Sequence, residues 1–127
     1  MKPLRVLVVD ADLPSVMALT TALGQLGHEV CAVVSTASDA VVAAVSFRPD
    51  VMVLDYQLRE GTGVQAVRAI QVIRHQPFLF ATSRPDVVRE HLPEAVVVAK
   101  PALRGTLQRA LSSVRRRAAE ADAAQGI

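Results

Sequence analysis

Four polar residues stand directly behind short apolar runs: Asp10 after Leu4–Val9, Asp55 after Val51–Leu54, Thr82 after Phe78–Ala81 and Lys100 after Val96–Ala99. Runs of this kind, β-branched and without polar alternation, read as strands covered on both faces, the mark of a parallel sheet. Ligands of such sheets bind beyond the carboxyl ends of the strands, so the four polar groups collect at one edge. If the first and third strands are neighbours, two carboxylates about 4–5 Å apart repel by roughly 3–4 kcal/mol at an effective dielectric near 20. A cation must offset them. Lys100 supplies one positive charge, and a hard divalent ion with oxygen ligands, such as Mg²⁺, would supply two. A carboxylate beside a metal and an ammonium can receive a phosphoryl group, because both neutralise the equatorial oxygens during transfer. Thr82 could donate a hydrogen bond to the same oxygens, and Gly61 and Gly63 let the loop after Asp55 turn tightly.

The elements that must hold these residues are legible as an alternation of strand and helix. A further strand is expected at Glu29–Val34. The first helix should begin near Asp12-Leu13-Pro14, with Asp12 as the cap and Pro14 in the first turn, and stop at Gly27. A second is expected over Ser38–Phe47, preceded by Ser35 and Thr36 as capping candidates and ended by Arg48-Pro49. The third occupies Gly63–Arg74, with Val64, Val67, Ile70 and Ile73 as its inner stripe and Arg68, Gln71 and Arg74 on the wet side. Pro85 and Pro93 leave room only for a short helix around Asp86–His91. The last helix starts after Pro101 and turns Leu103, Leu107, Leu111 and Val114 inward. Apolar periodicity ends near Ala118, so residues 1–119 are expected to form one domain and 120–127 a flexible tail. Five strands alternating with five helices predict a three-layer α/β sandwich with right-handed crossovers.

Composition narrows the function classes. With 51% hydrophobic and 20% charged residues, the 127-residue chain reads as a compact globular domain rather than a disordered one. A single cysteine, Cys31, excludes an internal disulfide or a cysteine zinc cluster and reads as a small buried hydrophobe. Arg5 and Asp10 break the apolar start too early for a signal peptide, and no apolar run approaches the roughly 18–20 residues of a membrane span. A soluble cytoplasmic protein is expected. The net charge of +2 is too small to indicate nucleic-acid binding. Arg115-Arg116-Arg117 has no aromatic neighbours for base stacking and is accounted for by the dipole at a helix C-terminus. His28, His75 and His91 show no metal-ligand spacing and read as surface or packing residues.

In this order the residues resemble the receiver domain of bacterial two-component response regulators. The resemblance spans Leu4 to Val114 and rests on Val6-Leu7-Val8-Val9-Asp10, on Pro49-Asp50-Val51-Met52-Val53-Leu54-Asp55, on Gly63, on Phe80-Ala81-Thr82 and on Ala99-Lys100-Pro101. It implies a doubly wound, flavodoxin-like (βα)5 fold with a parallel sheet of order 2-1-3-4-5. It also implies that Asp55 is the phosphoacceptor, Thr82 the switch hydroxyl and Lys100 the phosphate-binding lysine, with a cis bond between Lys100 and Pro101. Asp10, Asp55 and the backbone carbonyl of Gln57 would be the Mg²⁺ ligands. The implied partners are a histidine kinase or histidine phosphotransfer protein, and a downstream protein or second copy meeting the face of the fourth helix, fifth strand and fifth helix. No enzyme activity beyond self-phosphorylation and self-dephosphorylation is expected.

The sequence departs from the family pattern at three places. Ala11 stands where a second acidic residue usually ligates the metal, so Mg²⁺ binding should be weak, with Asp12 as a substitute ligand better suited to capping the helix. Arg59 replaces a common proline, and Val97 replaces the usual aromatic partner of the switch hydroxyl. These departures keep open a degenerate receiver that binds partners without phosphorylation. A third reading takes Asp10-Ala11-Asp12 as the D-x-D opening of a haloacid-dehalogenase-type phosphatase, although Leu13-Pro14 departs from that family and Asp55 would lack a purpose.

Overall fold

Four of the five residues of the first strand, Arg5–Val9 (β1), are wholly buried, because helices cover both faces of the sheet that it enters. The computed structural model describes residues 2–124. After β1 come α1 (Leu13–Gln25), β2 (Glu29–Val34), α2 (Ala37–Phe47), β3 (Val51–Leu54) and α3 (Gly63–Ile73). They are followed by β4 (Phe78–Thr82), α4 (Pro85–His91), β5 (Val97–Ala99) and α5 (Arg104–Ala124). All strand pairs are parallel and the order is β2-β1-β3-β4-β5, as the resemblance implied. Among the described residues no helix is long and apolar enough to cross a membrane.

Local chemistry sets the helix starts. The Asp12 carboxylate accepts from the Ser15 N–H at 3.1 Å and Pro14 lies in the first turn of α1. Thr36, not Ser35, caps α2 by accepting from the Asp39 N–H, and Thr62 with Gln65 forms a reciprocal capping box on α3. Arg48 ends α2 in the left-handed region, at φ 46°, immediately before Pro49. Val6, Val8, Val53, Leu79 and Ala81 meet α1 and α5 on one face of the sheet. Leu7, Val9, Met52, Leu54 and Phe80 meet α2, α3 and α4 on the other.

Several expectations change. Gln71 and Arg74, read as the wet side of α3, are half-buried and donate to the carbonyl and the Oε1 of the fully buried Gln76, and Cys31 is half-buried rather than buried. Ile73 is 56% exposed and does not complete the α3 stripe. Each three-residue step falls about 60° short of a full turn, so by the third step Ile73 has rotated about 180° away from Val64. Leu103 is also exposed; it lies one residue before α5, where its carbonyl accepts from the Leu107 N–H. Residues 120–124, read as the beginning of a tail, continue α5 to Ala124, while 125–127 fall outside the described residues.

Candidate functional site

β1 and β3 lie side by side at the centre of the sheet. Connections leave them towards opposite faces, which opens a crevice at their carboxyl ends. Asp10 and Asp55 occupy that crevice, and the register Val9↔Leu54 places them level with each other. Two strands away, Lys100 follows β5, with its N–H on the Thr82 carbonyl and a cis bond to Pro101. Its Nζ lies 2.9 Å from Asp10 Oδ2 and 2.9 Å from Asp55 Oδ2. Residues separated by 45 positions or more along the chain therefore share one ammonium.

Backbone donors hold the other carboxylate oxygens. Asp10 Oδ1 accepts from the Asp12 N–H at 2.9 Å, and Asp55 Oδ1 accepts from the Tyr56 N–H at 2.7 Å. Asp10 is 2% exposed, and burial raises its pKa against the opposing pull of the Asp12 N–H and Lys100. Burial pulls the Lys100 ammonium down, but the hydrogen bonds and charges of Asp55 and Asp10 outweigh it and leave the pKa raised. Two carboxylates against one ammonium leave a formal charge of −1 at the crevice.

A hard cation fits this donor set at its lower bound. Asp10 Oδ2 is buried and lacks an aligned hydrogen bond, although Lys100 Nζ is close enough for an ion pair. Such an oxygen suits a divalent ion, and Mg²⁺ commonly uses only one or two carboxylates and keeps several waters. Among the described residues no cluster of three His, Cys, Asp or Glu side chains could hold a metal. Ala11 contributes no oxygen from its side chain and lines a cavity of about 310 Å³ with Asp10, Ser35 and Asp39. The Asp12 side chain is engaged with Ser15 as the α1 cap. Gln57 lies on the exposed β3–α3 loop, bridged to Thr62.

The structure brings Asp10, Asp55 and Lys100 into direct contact and holds Thr82 at the next strand end. Thr82 is fully buried, and its Oγ1 accepts from the Arg84 N–H at 3.0 Å. Arg59 links its loop to the β2–α2 connection, donating to the Ser35 carbonyl at 2.9 Å and from Nε to Ser35 Oγ at 3.3 Å.

Two features of the site were not read from the sequence. Gly61 has a positive φ, 75°, as a tight turn requires, but Gly63 is needed for another reason. A Cβ there would lie 2.2 Å from the Asp55 carbonyl oxygen and 2.7 Å from Phe80 Cε2. The missing side chain lets α3 begin against the backbone of Asp55. The second is Tyr56, whose N–H orients Asp55 and whose ring stacks on His91 at the end of α4. A backbone donor leaves no trace in residue type, and a contact over 35 positions leaves none in local periodicity.

Residues 6–111 match the family described as the response regulator receiver domain. The phyllosphere-induced regulator PhyR of Methylorubrum extorquens is 31% identical over 100 residues, covering 76% of this chain and 38% of that protein. A protein-glutamate methylesterase/protein-glutamine glutaminase of Archaeoglobus fulgidus is 34% identical over 80 residues, covering 63% of this chain and 23% of that protein. The chain thus spans well under half of either curated relative. Among solved structures, the receiver domain of Erythrobacter litoralis PhyR superposes with a TM-score of 0.79 at 25% identity, covering 88% of this chain and 89% of that one.

Proposed function

The chain belongs to the response regulator receiver domain family, and from that premise we propose that residues 1–119 act as one phosphoacceptor unit, with Asp55 as the residue modified. The observation that supports this reading is the single ammonium of Lys100 held 2.9 Å from both Asp10 and Asp55. An Asp55 carboxylate oxygen attacks the phosphorus of a phosphohistidine or acyl phosphate. The new O–P bond forms as the bond from phosphorus to the donor breaks, and the donor leaves with the electron pair. Lys100 follows the charge onto the phosphoryl oxygens, and Thr82 can exchange its Arg84 N–H for a bond donated to the same oxygens. Asp10, Asp55 and the Gln57 carbonyl would hold Mg²⁺, which supplies neutralisation of the phosphoryl charge when bound.

The two curated relatives carry different names and share only this segment with the chain, so their effector activities do not transfer. We place the protein in the cytoplasm. It takes its phosphoryl group from a histidine kinase or phosphotransfer protein and signals through a protein contact at α4, β5 and α5 rather than by catalysis. Incubation with acetyl phosphate and Mg²⁺, followed by intact mass, tests the assignment. One added phosphoryl group is expected in the wild type and none in Asp55→Asn; an unmodified wild type would refute it.

A second reading, a receiver that binds its partner without phosphorylation, is favoured by Ala11 and by a crevice whose charge Lys100 already offsets in part. It requires that partner binding be unchanged by acetyl phosphate and by Asp55→Asn. The D-x-D phosphatase reading draws no support from the geometry, because the Asp12 carboxylate is occupied by Ser15.

A further inference from the structure

The seven-residue helix α4 is tied to the acidic crevice at both ends. At its start the cap residue Arg84 makes no side-chain cap bond; its N–H instead donates to Thr82 Oγ1. At its end the His91 ring stacks on Tyr56, with centroids 6.3 Å apart and planes inclined by 14°. Tyr56 follows Asp55 directly and donates its N–H to Asp55 Oδ1. Beyond His91 a cavity of about 380 Å³ opens, walled in part by Phe78, Leu92, Val96 and Val114, so the ring has room to leave the stack. On β5, Val97 provides no ring that could take part in a threonine–aromatic relay.

We propose that the Tyr56–His91 stack is a second restraint on α4, acting in parallel with the Thr82 hydroxyl and released by reaction at Asp55. The proposal rests on the phosphoacceptor reading. A carboxylate accepts a charge-assisted bond from the Tyr56 N–H, whereas the remaining oxygen of an acyl phosphate is a weaker, neutral acceptor. Loss of that bond releases the Tyr56 N–H while its carbonyl stays on the Gly63 N–H at 2.7 Å, so the residue can pivot about that anchor, and a small shift is enough to separate two rings whose attraction is short-ranged. Reaction at one carboxylate thereby loosens both ends of α4, the N-terminal end through Thr82 and the C-terminal end through Tyr56. Tyr56 and His91 are positioning residues in this scheme and do not touch the reacting atoms.

Amide hydrogen exchange of the full chain tests it. In Tyr56→Leu and His91→Ala, exchange in α4 should rise about fivefold, the equivalent of one aromatic pair, with α1 and α5 unchanged. His91→Phe, which keeps a ring, should restore protection. Wild-type protection of α4 in His91→Ala, or faster exchange spread evenly over the chain, overturns the proposal. With acetyl phosphate and Mg²⁺, the modified wild type should show the same loosening of α4, and His91→Ala should add little to it. A mass gain at Asp55 without faster α4 exchange also overturns it. Absence of any mass gain defeats the phosphoacceptor reading instead, and with it the release step, while the unmodified variants still decide whether the restraint exists.

Discussion

Replacing Gly63 by alanine should damage the site through the backbone alone, without touching any charged group. The added Cβ would sit 2.2 Å from the Asp55 carbonyl oxygen and 2.7 Å from Phe80 Cε2, whereas ordinary contact begins near 3.4 Å. The carbonyl would have to retreat by about 1.2 Å and the ring by about 0.7 Å. Neither is free to do so. Phe80 is fully buried, Asp55 N–H is bonded to the Val9 carbonyl at 2.9 Å, and Gly63 N–H is bonded to the Tyr56 carbonyl at 2.7 Å. The cost should lie at the upper end of overpacking, about 3 kcal/mol, with a fall in Tm of about 10 °C for a domain of this size. Urea denaturation followed by circular dichroism measures the loss. Displacement of Asp55 should also weaken its contact with Lys100 and slow modification by acetyl phosphate. Gly24→Ala is the control: nothing lies within 4 Å of the added Cβ in α1, so a gain of about 0.5 kcal/mol is expected. A loss below about 1 kcal/mol in Gly63→Ala would show that the α3 start can slide, and the close-approach argument would fail.

Lys100→Met leaves two buried carboxylates without their shared cation and should cost about 2–3 kcal/mol at pH 7. Because the raised Lys100 pKa means that its contribution is present below the ordinary 10.5 and lost above it, the variant is compared at neutral pH. Its deficit should shrink on acidification as Asp10, whose pKa burial raises, takes up a proton; a deficit that grows on acidification contradicts the charge assignment. His28 is buried, and its Nδ1 accepts from the Leu4 N–H at 3.0 Å, so protonation of that nitrogen breaks the bond. Burial, opposed by Gln108, lowers its pKa below 6.5; stability is therefore full above pH 6.5 and lost as pH falls from there to the lower folded value. Urea midpoints at pH 7.5 and 5 should show this slope, and His28→Gln should remove it. Ala11→Asp, which adds a carboxylate beside Asp10, should tighten Mg²⁺ binding about tenfold and lower metal-free stability. Titration calorimetry and fluorescence of Tyr56, the only tyrosine, measure the affinity; failure of both effects would mean that position 11 does not face the ion.

The strand ends were legible because every central strand is buried on both faces. An unbroken apolar run of four residues, as in Val6–Val9, Val51–Leu54 and Phe78–Ala81, suits such a strand, and the first polar residue behind it marks the carboxyl end of the strand. Caps at Asp12 and Thr36 were legible for a similar reason, since a side-chain oxygen bonding an N–H three residues ahead is local chemistry. Ile73 misled because a repeat of three drifts around a helix of 3.6 residues per turn. The continuation of α5 beyond its apolar stripe to Ala124 was invisible to a pattern that tracks only the buried face.

The order of residue types along the chain thus determined the alternating architecture and nominated Asp10, Asp55, Thr82 and Lys100, since burial and capping act over a few residues. Only the tertiary structure decided that one ammonium reaches both carboxylates, that Gly63 yields its side-chain space to the backbone of Asp55, and that Tyr56 meets His91. Those contacts depend on ångström-scale placement of elements distant in sequence, and that placement comes from packing the whole core at once.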